Sequence, residues 1–441
     1  MDPLILSRWQ FGITAAFHFV FPSFTIGLSL IIFIFFLLYF LRKENVYIEI
    51  GNFLLKVFGV GFAVGVASGV VMTFQFGTNW SVFSEKAGGI FGGPLAIEAM
   101  FAFFLESTFL ALLLFGQKRI SDFVKVLSAF FVMIGTIISG FWILTVLNWM
   151  QVPTGYKIEG DKILLTDFVA IVFNEPNFIR FVHTILACFI AGAGLGMGIS
   201  AYSFLRGMGK EKFSKLFKVS MIVFVVSTVL QIPFGTLSGE YVAKYQPLKL
   251  AIMEAKWDTS RFASEPIISV IDQNNMTNVF EVGIPGLLSF LAYRNFDAEV
   301  KGIKDLIEDY KLAKDELPNV NLVFWSFRVM VFLGILFVVF GILSVIFYYN
   351  KNLFNYKWFL RGLIFLVPLP IIANWAGWIT TEVGRQPWVI YGILKTSDAV
   401  SSLATHEVAF TLFSFVGIYL LLLVLWLTVT IKIIKKEIIS S

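Results

Sequence analysis

The chain has 441 residues, of which 58% are hydrophobic and only 14% are charged. Soluble domains are about 45–50% apolar and about 25% charged, so this composition excludes an ordinary cytosolic protein, a disordered chain and a nucleic-acid-binding protein. It indicates an integral membrane protein, in which the formal charge of +5 reflects how basic residues are distributed among loops.

Nine apolar segments are long enough to cross a membrane, since a helical crossing takes about 20 predominantly apolar residues. The predicted spans are 11–41, 53–75, 94–115, 123–149, 178–205, 216–238, 322–349, 359–380 and 402–431. The first is too long for a signal-peptide core and lacks a small-residue cleavage pattern, so we expect a retained helix. The sequence therefore predicts an all-α integral membrane protein, a bundle of about nine transmembrane helices.

The composition changes between the sixth and seventh spans. Residues 240–320 hold 13 of the 29 acidic residues, which predicts one large extramembrane loop with short helices of its own. We therefore divide the chain into helices 1–6 (1–239), the loop (240–320) and helices 7–9 (321–441).

Basic residues in short loops and at span ends predict the orientation of the chain. One side has 17: Arg42, Lys43, Lys56, Lys118, Arg119, Lys125, Arg206, Lys210, Lys212, Lys215, Lys218, Lys351, Lys357, Arg361, Lys432, Lys435 and Lys436. The other has seven: Arg8, Lys86, Lys157, Lys162, Arg180, Arg385 and Lys395. Because cytoplasmic loops are enriched in Lys and Arg, we expect a cytoplasmic C-terminus, with the N-terminus and the 240–320 loop outside.

Polar side chains within the spans are functional candidates, because burying them in a membrane is costly. All except Glu106 fall in the outer half of the predicted membrane region. Glu98 and Glu106 are eight residues apart, which is about 80° around a regular helix. The candidates are His18, Glu98, Glu106, His183, Arg328, Met330 and Glu382.

Buried His, Met and carboxylate side chains without cysteines suit haem iron better than zinc or an iron–sulfur cluster. The single Cys188 excludes a thiolate cluster. Other interpretations stay open from the residues alone. The histidines could form interhelical hydrogen bonds, Met330 could fill the core, and the carboxylates could relay protons in a transporter or channel without haem. For His406, at the start of the ninth span, we expect a structural role.

Several long segments, in order and over essentially the whole chain, resemble subunit I of the cytochrome bd quinol oxidases. They are 7–27 (with FGITAAFHFVFPSFTIG), 74–80 (FQFGTNW), 92–108 (GGPLAIEAMFAFFLEST), 239–257 (GEYVAKYQPLKLAIMEAKW), 324–331 (FWSFRVMV) and 377–388 (GWITTEVGRQPW). The resemblance implies a haem-containing subunit of a terminal respiratory oxidase. Such a subunit oxidises quinol at the outer face and reduces O2 to water, generating a proton motive force.

The resemblance also implies which residues hold the haems. His183 and Met330 match the two axial ligands of a low-spin haem b, with Arg328 beside it. His18 matches the ligand of one of two closely placed oxygen-side haems, a high-spin haem b and a haem d. Glu382 matches the ligand of the other, with Glu98 nearby. Which position holds haem d, and whether haem d is present rather than a third haem b, stays open.

Two further pairs match functional positions of the family. Glu106 and Ser139 match a proton route from the cytoplasm. Lys249 and Glu254 match the quinol-site pair of the extramembrane loop, although they could also be an ordinary i, i+5 pair on an exposed helix. The 240–320 loop lacks the long insertion of some family members and resembles the short-loop branch. A carboxylate can accept a quinol proton while a lysine orients a quinol oxygen.

The resemblance implies a second large membrane subunit and often a small single-span one, with quinol and O2 as substrates. We expect a multi-pass protein in the cytoplasmic membrane of a bacterium or archaeon, surrounded by lipid and without a nucleic-acid partner.

Overall fold

A computed structural model of the chain describes residues 2–116, 119–350 and 353–440. Two basic residues used to predict orientation, Lys118 and Lys351, lie outside these ranges. Within them, nine helices are long and apolar enough to cross a membrane. The predicted all-α fold with nine spans is therefore confirmed.

The first half of the chain contains five spans and one small hairpin. In chain order its elements are α1 (Pro3–Arg42), α2 (Asn45–Thr78), α3 (Ser81–Ile97), a π-helical turn (Glu98–Ala102), α4 (Phe103–Phe115), α5 (Asp122–Gln151), β1 (Tyr156–Glu159), β2 (Lys162–Leu165), α6 (Phe168–Val172) and α7 (Asn177–Arg206). The third span begins at Ser81, 13 residues before the predicted start, and the π-turn interrupts it.

The second half contains the loop and four spans. Its elements are α8 (Lys210–Tyr245), α9 (Pro247–Met253), β3 (Glu265–Asp272), β4 (Thr277–Ile284), α10 (Leu287–Tyr293), α11 (Ile303–Tyr310), a 3-10 turn (Lys314–Glu316), α12 (Val320–Tyr349), a 3-10 turn (Leu353–Asn355), α13 (Lys357–Leu366), α14 (Leu369–Val383), β5 (Trp388–Ile390), β6 (Leu394–Lys395) and α15 (Thr405–Ser440). Each of the pairs β1–β2, β3–β4 and β5–β6 is an antiparallel two-stranded sheet.

Local sequence explains where several spans begin and end. Asp2 caps α1 by accepting from Leu4 N at 2.9 Å, and Asn319 caps α12 by accepting from Leu322 N at 2.9 Å. Pro368 separates α13 from α14, since proline has no N–H to continue the helical hydrogen bonding.

Helix α1 is central, because it contacts α2, α5, α7 and α15. It crosses α7 at Gly27 and Gly192, where a Cβ on Gly27 would lie 2.7 Å from Gly192 N. Small residues allow such backbone contact between membrane helices. His18 and His183 each lie nine residues before their crossing glycine, so the crossing sets both histidines at one level.

Ion pairs join helix ends on the side predicted to be cytoplasmic. Lys43 contacts Asp122 at 3.0 Å, and Lys215 contacts Glu44 at 2.6 Å. Lys212 reaches Glu437 at the end of α15, at 2.5 Å. The predicted basic side is therefore one physical end of the bundle.

The loop folds as a compact unit with its own apolar core. Buried side chains of α9 and α11 form this core with Trp257 and Val300, and it continues into Phe324 of α12. The short helices were expected, whereas the β3–β4 hairpin was not predicted. Helix α8 extends to Tyr245, so the span before the loop is longer than its apolar stretch.

We predict that Gly27→Ala destabilises the α1–α7 crossing. The added methyl would collide with backbone atoms of Cys188 and Gly192, and overpacking of this kind costs about 1–3 kcal/mol. A thermal melt of the purified protein should show a lower midpoint. The matched control is Gly12→Ala on the same helix, because a Cβ on Gly12 meets nothing within 4 Å. Equal midpoints for the two variants would contradict this packing.

Candidate functional site

His18 of α1 is oriented by Ser68 of α2. Its Nδ1 lies 3.0 Å from the Ser68 hydroxyl oxygen, which itself donates to Val64 O or Gly65 O, each at 3.0 Å. The hydroxyl must then accept from His18, which places the ring proton on Nδ1 and leaves Nε2 unprotonated. Nε2 is therefore free to bind a metal. A Cβ on Gly69 would lie 3.1 Å from His18 Cε1, so the glycine leaves room for the ring.

His183 of α7 has one ring nitrogen in contact with α8 and one without a partner. Its Nε2 lies 3.2 Å from the Gln231 amide nitrogen. His183 Nδ1 and Gln231 Oε1 are buried and have no hydrogen-bond partner among the described residues. Unpartnered buried polar atoms are rare, so this pair indicates that a further group binds here. A glycine again leaves room, since a Cβ on Gly235 would lie 3.3 Å from His183 Cε1.

Met330 of α12 points towards α14. A Cβ on Gly377 would lie 2.8 Å from Met330 Sδ, so a glycine faces this predicted ligand as well. No cluster of three His, Cys, Asp or Glu side chains in the described ranges could hold a bare metal ion. A haem iron needs at most two protein ligands, so isolated His and Met side chains fit haem.

Glu382, near the end of α14, is contacted from two sides. Its Oε1 accepts from Gln151 Nε2 at 3.0 Å, and its Oε2 forms an ion pair with Arg385. Gln151 is the last residue of α5 and is 1% exposed. Glu382 is therefore held in place by two neighbours.

Lys249 of α9 lies in the loop, yet it is only 2% exposed, which excludes the exposed-helix interpretation. Its Nζ donates to Gln151 Oε1 at 2.8 Å and to Gln246 Oε1 at 3.2 Å. Gln151 therefore bridges Lys249 and Glu382. The structure connects the predicted quinol-site lysine to the predicted haem-ligand glutamate through one amide.

Cations outnumber carboxylates around this bridge. Burial, and then the nearby guanidinium of Arg180, hold the pKa of Lys249 well below its usual range, and Arg385 acts in the same direction. Arg180 Nη2, Arg385 Nε and Arg385 Nη1 are buried and have no partner in the described part of the chain. Excess buried positive charge requires an anion, and haem propionates fit these donors.

Glu254, at the end of α9, belongs to a second buried group. It is 2% exposed, and its carboxylate accepts from Arg328 Nη2 of α12 at 2.5 Å. Glu265, the first residue of β3, lies 3.4 Å from the same nitrogen, and Arg328 Nε donates to Pro266 O at 2.7 Å. Burial, together with the charge of Glu254, raises the pKa of Glu265 to about 9. Lys249 and Glu254 thus have separate partners.

Glu98 and Glu106 both face α5. Ser139 Oγ donates to Glu98 Oε1 at 2.8 Å, and a Cβ on Gly135 would lie 2.7 Å from Glu106 Cγ. The π-turn explains this shared direction, because one inserted residue reduces the expected separation from about 80° to about 20°. The structure therefore brings Glu98 and Ser139 together and places Glu106 one turn of α5 away.

Sequence reasoning missed several residues of this site. Gln246 and Arg385 are buried polar residues at helix ends within the matched segments, and that position was the available signal. Gln151 is also buried at a helix end, but it lies outside those segments and had no such signal. Glu265 had no such signal, since it lies in a polar stretch of the loop. His406 is exposed in the first turn of α15, away from these contacts.

The chain is similar to known proteins over nearly its whole length. The sequence profile of the cytochrome bd terminal oxidase subunit I family matches residues 6–438. Cytochrome bd ubiquinol oxidase subunit 1 of Bacillus subtilis is 37% identical, over 99% of this chain and 94% of that protein. Cytochrome bd-II ubiquinol oxidase subunit 1 of Escherichia coli is 35% identical, over 96% of this chain and 94% of that protein.

A solved structure has the same fold. The bd oxidase of Geobacillus thermodenitrificans superposes with a TM-score of 0.89 at 28% identity, covering 99% of both chains. The chain therefore belongs to the cytochrome bd terminal oxidase subunit I family, and it is a subunit of a respiratory oxidase that oxidises quinol and reduces O2.

Proposed function

We propose that His183 and Met330 are the axial ligands of a low-spin haem b that receives electrons from quinol. The observation that carries this proposal is the buried site around His183, where Nδ1 and the Gln231 carbonyl oxygen have no partner among the described residues and Gly235 leaves space beside the ring. A bound haem supplies reversible one-electron chemistry, and a His/Met pair raises its potential. Arg328 Nη1 has no partner among residues 2–116, 119–350 and 353–440, and it can contact a propionate.

His18 and Glu382 are the ligands of the two oxygen-side haems, a high-spin haem b and a haem d or a third haem b. The Nδ1–H tautomer of His18 supports its role, since Nε2 then has a free lone pair. Gln151 and Arg385 orient Glu382. Arg180 and Arg385 have N–H groups without a partner in the described part of the chain, and these can donate to propionates.

Lys249 and Glu254 form the quinol site of the 240–320 loop. Glu254 accepts a proton from a quinol hydroxyl, and Lys249 orients a quinol oxygen. Their burial supports this role, because groups that act on an apolar quinol ring must work out of water. Because the pKa of Lys249 is lowered, its ammonium group can also give up a proton, in addition to orienting the quinol oxygen.

Glu106, Ser139 and Glu98 form the proton route from the cytoplasm to the oxygen side. The 2.8 Å hydrogen bond between Ser139 and Glu98 supplies its outer step. Uptake from the cytoplasm and release outside separate charge across the membrane and generate a proton motive force. Family membership excludes the alternative of a proton-coupled transporter or channel without haem.

The proposed role also implies the location of the protein, its orientation in the membrane and its partner subunits. The chain is a multi-pass protein of the bacterial or archaeal cytoplasmic membrane, with the N-terminus and the loop outside and the C-terminus in the cytoplasm. It functions with a second large membrane subunit, as the designation "subunit 1" of its relatives implies, and with a small single-span subunit. We retain the division into 1–239, 240–320 and 321–441.

We predict that Met330→Leu removes the low-spin haem b band from a reduced-minus-oxidised spectrum of the purified complex. Leucine keeps the volume but has no thioether, while the sites at His18 and Glu382 are untouched, so the high-spin bands should persist. The control is Met221→Leu in α8, where the methionine is buried at 1% exposure. A low-spin band of normal intensity in Met330→Leu would refute the ligand assignment, and a colourless wild-type complex would refute the oxidase.

We predict that Glu254→Gln lowers the quinol oxidation rate about 100-fold, because the amide cannot accept a proton. The haem spectrum after chemical reduction should match that of the wild type. Glu299→Gln, at an exposed acid of the same loop, is the control and should turn over normally. Quinol-driven turnover at the normal rate in Glu254→Gln would remove this residue from the quinol site.

A further inference from the structure

Glu265 is a partly buried carboxyl group that has no role in the proposed quinol site. It shares Arg328 Nη2 with Glu254 and is within hydrogen-bonding reach of the Glu254 carboxylate. The Arg328 guanidinium thus contacts two carboxyl groups. Because two adjacent carboxylates repel each other, such a pair tends to hold one proton between them.

Exposure increases along this group towards the outer surface. The side chain of Glu254 is 3% exposed, that of Arg328 is 11% exposed and that of Glu265 is 16% exposed. Glu265 also begins β3, in the exposed β3–β4 hairpin of the loop. It therefore lies between the buried Glu254 and the solvent.

We propose that Glu265 carries the protons of quinol from Glu254 to the outer solvent. The proposal rests on the quinol-site assignment of Glu254 and extends it to the step after quinol deprotonation. Glu265 acts through Glu254, so it is a positioning and proton-carrying residue rather than one that contacts quinol.

In the resting state the two carboxyl groups share one proton, held on Glu265, and the Arg328 guanidinium balances the remaining negative charge, so the group has no net charge. A proton from a quinol hydroxyl enters the Glu254 carboxylate and leaves a buried positive charge. Glu265 then releases its own proton to the outer solvent, and the proton on Glu254 crosses to Glu265. Two such rounds remove both protons of one quinol, whose two electrons pass to the oxidase.

The electrostatics of Glu265 support this exchange. Burial, and then the negative charge of Glu254, raise its pKa to about 9. When Glu254 is protonated, that negative charge disappears while Arg328 stays, which favours release from Glu265. The raised pKa means that Glu265 holds its proton at neutral pH and loses it as the pH rises through about 9.

Few other charged groups in the described part of the chain face Glu265. Of the elements in contact with β3, α12 contributes Arg328, and the end of α9 contributes Glu254. The titratable side chains of the others are Tyr293 on α10 and Glu281 on β4, and Glu281 is opposite Ser269 rather than Glu265.

The test compares Glu265→Gln with the wild type in the intact oxidase, using a short-chain synthetic quinol. We expect kcat to fall about tenfold, with KM within about twofold and an unchanged haem spectrum, because glutamine cannot carry a proton. Wild-type kcat should increase as the pH rises through about 9, since ionised Glu265 adds a negative charge that favours proton transfer from quinol to Glu254 and can then take that proton directly. This increase should be absent from Glu265→Gln, and Glu265→Asp should restore it together with most of kcat.

The control is Glu281→Gln, an exposed acid in the same hairpin, which should leave kcat and the pH profile unchanged. Normal kcat and a normal pH profile in Glu265→Gln, with Glu254→Gln inactive, would overturn this inference alone. Normal turnover in Glu254→Gln would overturn the quinol-site assignment itself. If the Glu265→Gln variant does not assemble, the pH dependence of wild-type kcat tests the proposal. A wild-type kcat that stays constant as the pH rises through about 9 contradicts it.

Discussion

The side-chain amide of Gln151 connects the extramembrane loop to the helix bundle. Its oxygen accepts from Lys249 Nζ and Gln246 Nε2, and its nitrogen donates to Glu382. All of these contacts are at least partly shielded from water, and leaving a buried polar group unpaired costs about 1–3 kcal/mol. The position of α9 over the end of α14 therefore depends on this amide as well as on the apolar core of the loop.

The buried charges at this end of the bundle form two groups that differ in balance. Around Gln151, Arg180, Lys249 and Arg385 face one carboxylate, so the group has donors left for an anion. Around Arg328, one cation faces two carboxyl groups, so the group has capacity for a proton. The same low-dielectric environment thus favours anion binding around Gln151, where positive charge is in excess. It favours proton exchange around Arg328, where carboxyl groups are in excess.

The sequence predicts the spans and the shared depth of the polar residues, because apolar length and the cost of buried charge are local properties. It does not predict the common direction of Glu98 and Glu106, which depends on a π-turn that no residue pattern marked. Gln151 and Glu265 were missed for another reason. Gln151 acquires its role from Glu382, 231 residues away, and Glu265 acquires its role from Arg328, about 60 residues away, and only the folded chain brings these partners together.

The depth of the two histidines has a simple geometric origin. Gly27 and Gly192 let the backbones of α1 and α7 touch, and each histidine lies nine residues nearer the N-terminal end of its helix, about 14 Å along the axis. A shift of either helix at this crossing would move one histidine relative to the other and relative to Glu382. Two rigid helices and one backbone contact therefore keep the predicted ligands at one level, beneath the loop that supplies Lys249 and Glu254.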